Sequence, residues 1–290
     1  MPVSLMADEL SRIVTLSWPD GSIRLSNDEW DNETEHWFSD LVGWFGGVGV
    51  ESDKQQRALT HGVATGETRR TARTLTLSGE LFFPQQDLRE AASRYVSGIL
   101  GDGRRGDLTV WTEGHSQVTA VQLDGEIKWS SDGSEWISVE IPLIAPDPWI
   151  YGPIRSAQIY SEGIGRGLKW EGGLFSAGHL RWGGSVPNPL LTNDGNADSW
   201  PAFKVTGDFA RGFRLISGSQ VFEYPEPVFR GAPVTVYPGR VMVGNQEMSH
   251  EVSRRGWISI GPYSAITPRL VSLDTYGEGR ADVTWRSTYI

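Results

Sequence analysis

The sequence predicts a mainly β protein with one helix, arranged as an N-terminal α+β domain followed by a C-terminal antiparallel β-sandwich. Short apolar and aromatic runs of strand length lie between Gly, Pro and Asn residues, and a single segment has helical spacing. The 290 residues are enough for two sizeable cores. The 35 glycines and 13 tryptophans indicate many tight turns, with large flat side chains packed on sheets or between subunits.

The first predicted element is a strand at residues 13–18, where inward and outward residues alternate. It stops at Pro19-Asp20-Gly21, a turn signal that predicts a hairpin with residues 22–25. Further on, Trp44 and Phe45 precede a glycine-rich run, and we expect a loop with exposed aromatic side chains there. Residues 74–83 alternate polar and apolar over most of their length, as a half-buried strand does.

The period changes at residues 84–100, which predict the only helix. Apolar side chains recur there at intervals of three and four residues, Pro84 precedes them, and Gly101 closes the segment. The strands predicted after the helix are residues 107–111, 118–123, 127–129 and 136–143, with turns at Asp124-Gly125 and Asp132-Gly133. One helix lying on an antiparallel sheet makes an α+β unit.

The predicted domain boundaries follow from the positions of proline and glycine residues. Pro146, Pro148 and Pro153 restrict the backbone and halt sheet pairing, so we assign residues 1–152 to a first domain. Residues 153–186 are predicted to be a glycine-rich connector, and residues 187–290 to be the β-sandwich. The strands predicted in the sandwich are residues 200–205, 213–216, 234–237, 256–260 and 281–286.

Composition narrows the class of protein. The chain has no cysteine, which leaves no disulfide framework and no cysteine-based metal site. The first ten residues lack a signal-peptide pattern, and no apolar run approaches the ~20 residues of a membrane span, so we expect neither signal-dependent export nor membrane insertion. A net charge of −10 disfavours nonspecific binding to nucleic acid, and we expect no DNA-binding module.

Motifs for catalysis are weak. The histidines show no metal-ligand spacing and are predicted to be surface or core residues: His36, His61, His115, His179 and His250. The densest acidic cluster lacks calcium-loop spacing and is predicted to be a solvated loop: Asp28, Glu29, Asp31, Glu33 and Glu35. Gly163-Ile164-Gly165-Arg166-Gly167 lacks the dinucleotide-loop spacing and is predicted to be a flexible turn. No Gly-x-Ser-x-Gly elbow precedes a helix. We therefore expect no enzymatic activity, no metal and no cofactor.

The order of these segments resembles a known family. A strand at residues 75–79, one helix, a meander ending in Ala145-Pro146-Asp147-Pro148 and a terminal sandwich follow one another. The sandwich contains Asn193-Asp194-Gly195 before Trp200-Pro201, a hairpin at residues 236–245 and a last strand at residues 281–286. This arrangement is similar to the distal tail protein (Dit) family of long, noncontractile-tailed bacteriophages. The likeness extends from about residue 73 onward.

The resemblance implies a structural role. Six copies would form a ring at the distal end of the tail tube, with a split-barrel-like N-terminal domain around the lumen and a galectin-like C-terminal sandwich projecting outward. The implied partners are the tail tube protein, the tape measure protein and tail-tip hub or receptor-binding proteins, with DNA passing through the lumen. The implied location is the distal end of the tail in the virion, after assembly in the host cytoplasm.

Aromatic residues give the candidate site residues. We assign Trp44, Phe45 and Trp149 to contacts with other subunits. The alternative function is a carbohydrate-binding sandwich for attachment to the host surface, with Trp200, Trp257 and Trp285 as the glycan platform. Each of these three rings lies within a predicted strand, so we favour core packing for them. A glycan platform would leave at least two of them exposed on one face.

Overall fold

The structure is a computed structural model that describes residues 12–28, 31, 34–57, 61–112, 114–131, 135–161, 168–171, 179–182, 187–274 and 277–290. The chain divides into two compact units, Met1–Pro153 with Tyr289–Ile290, and Ile154–Thr288. Strands dominate both units, and the described residues contain one α-helix. The predicted mainly β fold with one helix is confirmed. No described helix has the length and apolar character needed to cross a membrane.

The first unit is built around one large sheet. Its elements in chain order are β1 (Arg12–Trp18), β2 (Gly21–Ser26), β3 (Trp37–Val42), β4 (Val50–Gln56), β5 (Val63–Arg70), β6 (Arg73–Phe82), α1 (Gln86–Ser97), β7 (Gly106–Thr112), β8 (His115–Leu123), β9 (Lys128–Ser130), β10 (Trp136–Ala145) and β11 (Ile150–Tyr151). The ten-stranded sheet has the order β26-β11-β8-β7-β1-β2-β3-β6-β10-β9, in which β26 is Thr288–Tyr289. Strands β4 and β5 pair with each other as a separate hairpin.

The large sheet closes on itself. Leu143 of β10 lies opposite Leu123 of β8, which joins the two ends of the β8-β7-β1-β2-β3-β6-β10 series. One seam is thin, because β2 and β3 meet only at Ser26 and Trp37, in parallel. Alternation places apolar side chains such as Leu77 inside, fully buried, and polar ones outside. This closed sheet with a thin seam agrees with the split-barrel-like fold implied by the sequence.

Helix α1 packs into this core and is shorter than predicted. It covers Gln86–Ser97 rather than residues 84–100, because the chain turns at Gly98 and Leu100 has a left-handed φ of 49°. Val96 belongs to the buried core, as the helical spacing predicts. Tyr95, by contrast, is exposed, and its hydroxyl donates a hydrogen bond to the carbonyl oxygen of Ser22 at 3.0 Å.

The second unit contains two larger sheets that share one core. Its strands are β12 (Arg155–Tyr160), β13 (Leu168–Glu171), β14 (His179–Trp182), β15 (Leu191–Asn193), β16 (Ala202–Asp208), β17 (Phe213–Ser217), β18 (Gln220–Tyr224), β19 (Val234–Tyr237), β20 (Arg240–Val243), β21 (Gln246–Glu247), β22 (Arg254–Arg255), β23 (Ser264–Ile266), β24 (Arg269–Ser272) and β25 (Glu278–Trp285). The larger sheets have the orders β12-β25-β16-β19-β20-β21 and β22-β18-β17-β24. Side chains from both, such as Phe203 and Phe222, form the core of a β-sandwich.

Two differences from the sequence predictions concern the second unit. Strand β12 lies inside the predicted connector of residues 153–186 and pairs with β25 over six residues, so this unit begins before residue 187. The predicted strand at residues 256–260 is wrong. Gly256 instead lies so close to Val221 that an added Cβ would meet its backbone, and only Ile260 forms an isolated bridge, with Ser199.

The turn at Asn193 is fixed by a buried amide. Its Nδ2 donates to the carbonyl oxygens of Ala197, Ile260 and Gly261 at 2.7, 3.1 and 3.0 Å. Its Oδ1 accepts from the backbone N–H groups of Gly195 and Thr288 at 3.0 and 3.2 Å. One side chain therefore joins three separate parts of the second unit. Satisfied buried amides of this kind hold loops in one conformation.

Candidate assembly surfaces

Arg73 organises one end of the first unit. It is the first residue of β6, it is buried, and its Nε donates to the carbonyl oxygen of Pro148 at 3.0 Å. Its Nη1 donates to the carbonyl oxygens of Gly43 and Trp44 at 2.8 and 3.1 Å. A buried guanidinium is costly unless its N–H groups are satisfied. The carbonyl bonds at Nε and Nη1 offset part of that cost, whereas the buried Nη2 has no hydrogen-bond partner among the described residues. We call this arrangement the arginine junction: Arg73, residues 43–46 and residues 148–149.

The charge of Arg73 persists despite its burial. Burial lowers the pKa of the guanidinium, and the nearby positive charge of Arg70 lowers it further. Arginine starts from so high a value that it remains protonated at neutral pH. The loop after β3 fits closely around it, because Gly43 has a φ of +84° and a Cβ there would clash with the carbonyl oxygen of Thr74. The arginine junction is therefore a rigid, positively charged end of the barrel.

The three residues predicted to contact other subunits all lie at the arginine junction, but they differ in exposure. Phe45 is 62% exposed and Trp149 is half-buried, whereas Trp44 is only 2% exposed and packs in the core. The expectation of an exposed side chain at Trp44 is wrong: the indole packs in the core of the first unit, and the backbone carbonyl accepts from Nη1 of Arg73. A Trp44→Glu change would destabilise the fold of the monomer itself.

Each of the two remaining rings is paired with an arginine. The guanidinium carbon of Arg12 lies 4.8 Å from the ring centre of Phe45, and that of Arg70 lies 5.7 Å from the ring centre of Trp149. Such cation–π contacts hold exposed aromatic rings in place. The chain has a net charge of −10, so a surface of arginines and aromatic rings differs in charge from the chain as a whole. Aromatic residues and arginine are the types enriched at protein interfaces.

A second aromatic surface lies on the outside of the barrel and was not predicted from the sequence. Trp37 is opposite Glu80 in the β3–β6 pairing, and Trp136 is opposite Phe82 in the β10–β6 pairing. Since Glu80 and Phe82 are two residues apart on β6, all four side chains share one face. Trp37 and Trp136 are 45% and 37% exposed, and Trp136 lies 4.9 Å from Phe82 between ring centres. We call Trp37, Phe82 and Trp136 the outer aromatic face.

The two surfaces are far apart along the same strands. Arg73 begins β6 and Phe82 ends it. Trp136 begins β10, and Trp149 follows the end of that strand at Ala145. Ten residues of β-strand span about 30 Å, so the arginine junction and the outer aromatic face lie toward opposite ends of these two strands.

The β4–β5 hairpin adjoins the arginine junction. Strand β4 starts soon after Phe45, and β5 ends three residues before Arg73. Its base is fixed where the backbone N–H of Thr71 donates to the carbonyl oxygen of Gly49 at 2.9 Å. Nearly all of its described side chains are exposed, including Val50 and Val63. A two-stranded ribbon exposed on both faces has little stability of its own.

The three tryptophans of the alternative glycan platform do not form a shared surface. Trp285 is 7% exposed and its Nε1 donates to the carbonyl oxygen of Thr192 at 2.8 Å. Trp257 is half-buried against Phe222, whereas Trp200 is 48% exposed. Core packing, which the sequence favoured for all three, describes Trp285 fully and Trp257 in part. Only one of the three rings is exposed.

The titratable residues singled out in the sequence have local structural roles where the structure describes them. Asp31 accepts two hydrogen bonds from Arg24, both at 3.1 Å. His36 Nδ1 accepts from the backbone N–H of Phe82 at 3.1 Å, and burial lowers the pKa of this imidazole while Glu35 opposes that shift. Within the described ranges, no three His, Asp or Glu side chains cluster as metal ligands would. Residues outside the described ranges are Glu29, Glu33, Asp132-Gly133, the 163–167 turn and the side chain of His179.

Comparisons with known proteins agree with this architecture. No family model and no curated protein matches the chain. Among solved structures, the phage protein SPP1 Dit matches with a TM-score of 0.62 and 13% identity, over 96% of this chain and 99% of SPP1 Dit. SPP1 Dit is described as a paradigm of the hub adsorption apparatus in phages infecting Gram-positive bacteria. Two structures of the phage P2 baseplate in its activated conformation, with Ca and with Sr, give TM-scores of 0.42 and 0.40 at 10% identity, each covering 93% of this chain and 97% of the matched chain. The match to SPP1 Dit shows that the chain has the fold of a phage hub protein. The particular fold is that of SPP1 Dit, as the order of segments predicted.

Proposed function

We propose that this chain is a distal tail protein that forms a hexameric ring at the end of a phage tail tube. The observation that carries the proposal is the match to SPP1 Dit, which extends over 96% of this chain and 99% of the other. A match of this extent includes both units and their order. The role is structural: the ring joins the tube to the tail-tip or baseplate proteins, and no reaction is assigned to it.

The two surfaces of the first unit support a ring. A closed ring needs a heterologous interface, in which one surface of each copy meets a different surface of the next. The arginine junction and the outer aromatic face are two such surfaces, and they lie toward opposite ends of β6 and β10. One presents the guanidinium of Arg70, and the other presents Glu80 beside exposed tryptophans. Their chemistry is complementary, since cations bind both carboxylates and aromatic faces.

The remaining parts of the proposal follow from a position at the tail end. The neighbours are the tail tube protein, the tape measure protein and tail-tip hub or receptor-binding proteins, and the protein assembles in the host cytoplasm before becoming part of the virion. DNA passes through the lumen without specific binding. The net charge of −10 supports this, because like charge disfavours adhesion of phosphates to the protein.

Substitution of Phe45 tests the role of the arginine junction. Phe45 and Phe229 are both 62% exposed, but Phe229 lies in the second unit, so it is a matched control. We expect Phe45→Glu to remain folded and to reduce the mass measured by light scattering from that of a hexamer to that of a monomer. Phe229→Glu should still assemble. Normal assembly of the Phe45→Glu variant would contradict the assignment of this surface to the ring.

A further inference from the structure

A cleft of about 500 Å³ lies in the second unit, whereas the surfaces assigned to assembly belong to the first. Its lining residues are Gly239, Glu247, Ser249, His250, Arg255 and Trp257. They come from the turn between β19 and β20, from β21 with the short 3-10 turn after it, and from the segment that includes β22. The cleft is therefore bounded by an edge strand from each of the two larger sheets. Clefts of this size with a few polar side chains are typical of small-molecule sites.

Local pairing holds the walls in place. Glu247 lies opposite Met242 in the β20–β21 pairing, and Arg255 lies opposite Phe222 in the β18–β22 pairing. The hydroxyl of Ser249 accepts from the backbone N–H of Val241 at 3.0 Å and donates to Oε1 of Glu247 at 2.9 Å. This chain of bonds holds the carboxylate of Glu247 at the cleft, where its Oε2 also lies 3.5 Å from Nε of Arg240. The two carboxylate oxygens together offer about four lone pairs, so acceptor positions remain.

Trp257 supplies a fixed aromatic wall. Its ring lies 5.2 Å from that of Phe222 at an angle of 37°, so contact with the core holds the indole while it also lines the cleft. The face of an indole is electron-rich. The C–H groups on one side of a pyranose ring carry partial positive charge and stack on such a face. The wall therefore fits a sugar ring better than it fits an anion.

The polar groups beside the indole match the hydroxyls of a sugar. Each hydroxyl both donates and accepts a hydrogen bond, so a site for two adjacent hydroxyls needs an acceptor and a donor side by side. Glu247 provides acceptors, and Arg255 provides donors, of which Nη2 makes only a long contact of 3.5 Å to the carbonyl oxygen of Ser249. His250 lines the same cleft and is 3.0 Å from Glu251 through its Nε2.

The charge balance points to a neutral ligand. The carboxylate of Glu247 faces the cleft together with the cation of Arg255, and Glu251 accompanies His250. Arg240 Nε also lies 3.5 Å from Oε2 of Glu247, so two guanidinium groups and two carboxylates balance in and beside the cleft. A phosphate or sulfate would therefore meet no excess of positive charge. We propose that the cleft binds a neutral pyranose saccharide, with the ring stacked on Trp257 and adjacent hydroxyls bonded to Glu247 and Arg255. This site differs from the three-tryptophan platform, since it uses one aromatic ring and polar residues that the sequence did not single out.

The test uses the full-length protein and defined probes. A glycan microarray identifies saccharides that bind, and saturation-transfer NMR with methyl α-glucopyranoside, methyl β-galactopyranoside and N-acetylglucosamine detects weak binding directly. We expect at least one neutral pyranose to bind, and we expect Glu247→Ala and Arg255→Ala each to weaken that binding at least tenfold. Both residues are exposed, so both variants should fold. Arg230→Ala and Glu278→Ala, exposed changes in the same unit outside the cleft, should bind as the unchanged protein does.

Three results would overturn the proposal. The first is the absence of binding to every array glycan and to all three sugars used in the NMR measurement. The second is binding that Glu247→Ala and Arg255→Ala leave unchanged, which would place the sugar elsewhere. The third is displacement of the sugar by millimolar sodium sulfate at constant ionic strength, which would identify an anion site. None of these outcomes depends on whether the protein forms a ring.

Discussion

Asn193 and Arg73 illustrate what individual residues contribute to this fold. Both are buried polar side chains whose hydrogen bonds go mainly to backbone carbonyl groups of distant segments. Alternation of apolar and polar residues predicts neither of them, because their partners lie far away in sequence. The sequence identifies Asn193-Asp194-Gly195 as part of a family-like pattern, but the role of Asn193 in joining three segments depends on contacts that only the fold brings about.

Replacing Asn193 should destabilise the second unit. Asn193→Ala removes five hydrogen bonds, among them the bonds of Asn193 to the buried N–H groups of Gly195 and Thr288 and to the carbonyl oxygen of Ala197. The carbonyl oxygens of Ile260 and Gly261 keep their bonds from Ser199 and Ser264. We expect a loss of about 3 kcal/mol in the free energy of unfolding, measured by urea denaturation. Asn245→Ala, at an exposed turn of the same unit, should change it by less than about 0.5 kcal/mol. Equal effects of the two changes would contradict the role given to Asn193.

His36 should make stability depend on pH. Burial lowers its pKa in the folded state below the ordinary value of 6.5, so the unfolded chain binds more protons between those two values. The contribution of the neutral, buried His36 to the free energy of unfolding is fully present above pH 6.5. It declines as the pH falls below that value and is lost below the lowered pKa. We expect the urea midpoint to fall over this range, and the fall to be smaller in His36→Gln, because an amide side chain does not bind a proton at these pH values.

The exposed histidine of the hairpin provides the control for that measurement. His61→Gln should reproduce the pH profile of the unchanged protein, because His61 lies at the surface. A profile that His36→Gln leaves unaltered would show that another group causes the dependence.

Among the elements, those with a clear period were predicted well. Strand β6 alternates buried and accessible residues along its length, and α1 has one buried stripe. The β4–β5 hairpin was not predicted, because nearly all of its described side chains are exposed and its sequence has no alternation. Strand β12 was assigned to the connector because only its pairing with β25 identifies it as part of a sheet.

Limited proteolysis examines the placement of β12. Trypsin has sites at Arg166, Lys169 and Arg181 in the glycine-rich segment, where we expect cleavage. The N-terminal fragment would then carry β12, which pairs with β25 of the other fragment over six residues. The two fragments should therefore separate on a denaturing gel but elute together in gel filtration. A variant with Gln at all three sites should resist cleavage, and fragments that elute separately would contradict the pairing of β12.

For the whole molecule, the order of segments carried more information than any single motif. The sequence predicts a strand, a helix, a meander and a sandwich in that order. This order predicted the fold found in SPP1 Dit, although the two sequences are 13% identical. The candidate surfaces were predicted in part. Phe45 and Trp149 are accessible, and each lies shortly after the end of a strand. Glycine and proline residues in the sequence indicate such positions. The outer aromatic face was missed because Trp37 and Trp136 come together only through the register of β3 and β10 on β6.

The central claim is that copies of this chain close into a ring through the first unit. Negative-stain electron microscopy of the purified full-length protein, at high concentration and with light-scattering mass on the same sample, measures this directly. We predict closed rings with sixfold symmetry, a central opening and a mass of six chains. A protein that stays strictly monomeric at high concentration, with no ring at the tail tip of virions that contain it, would contradict the account.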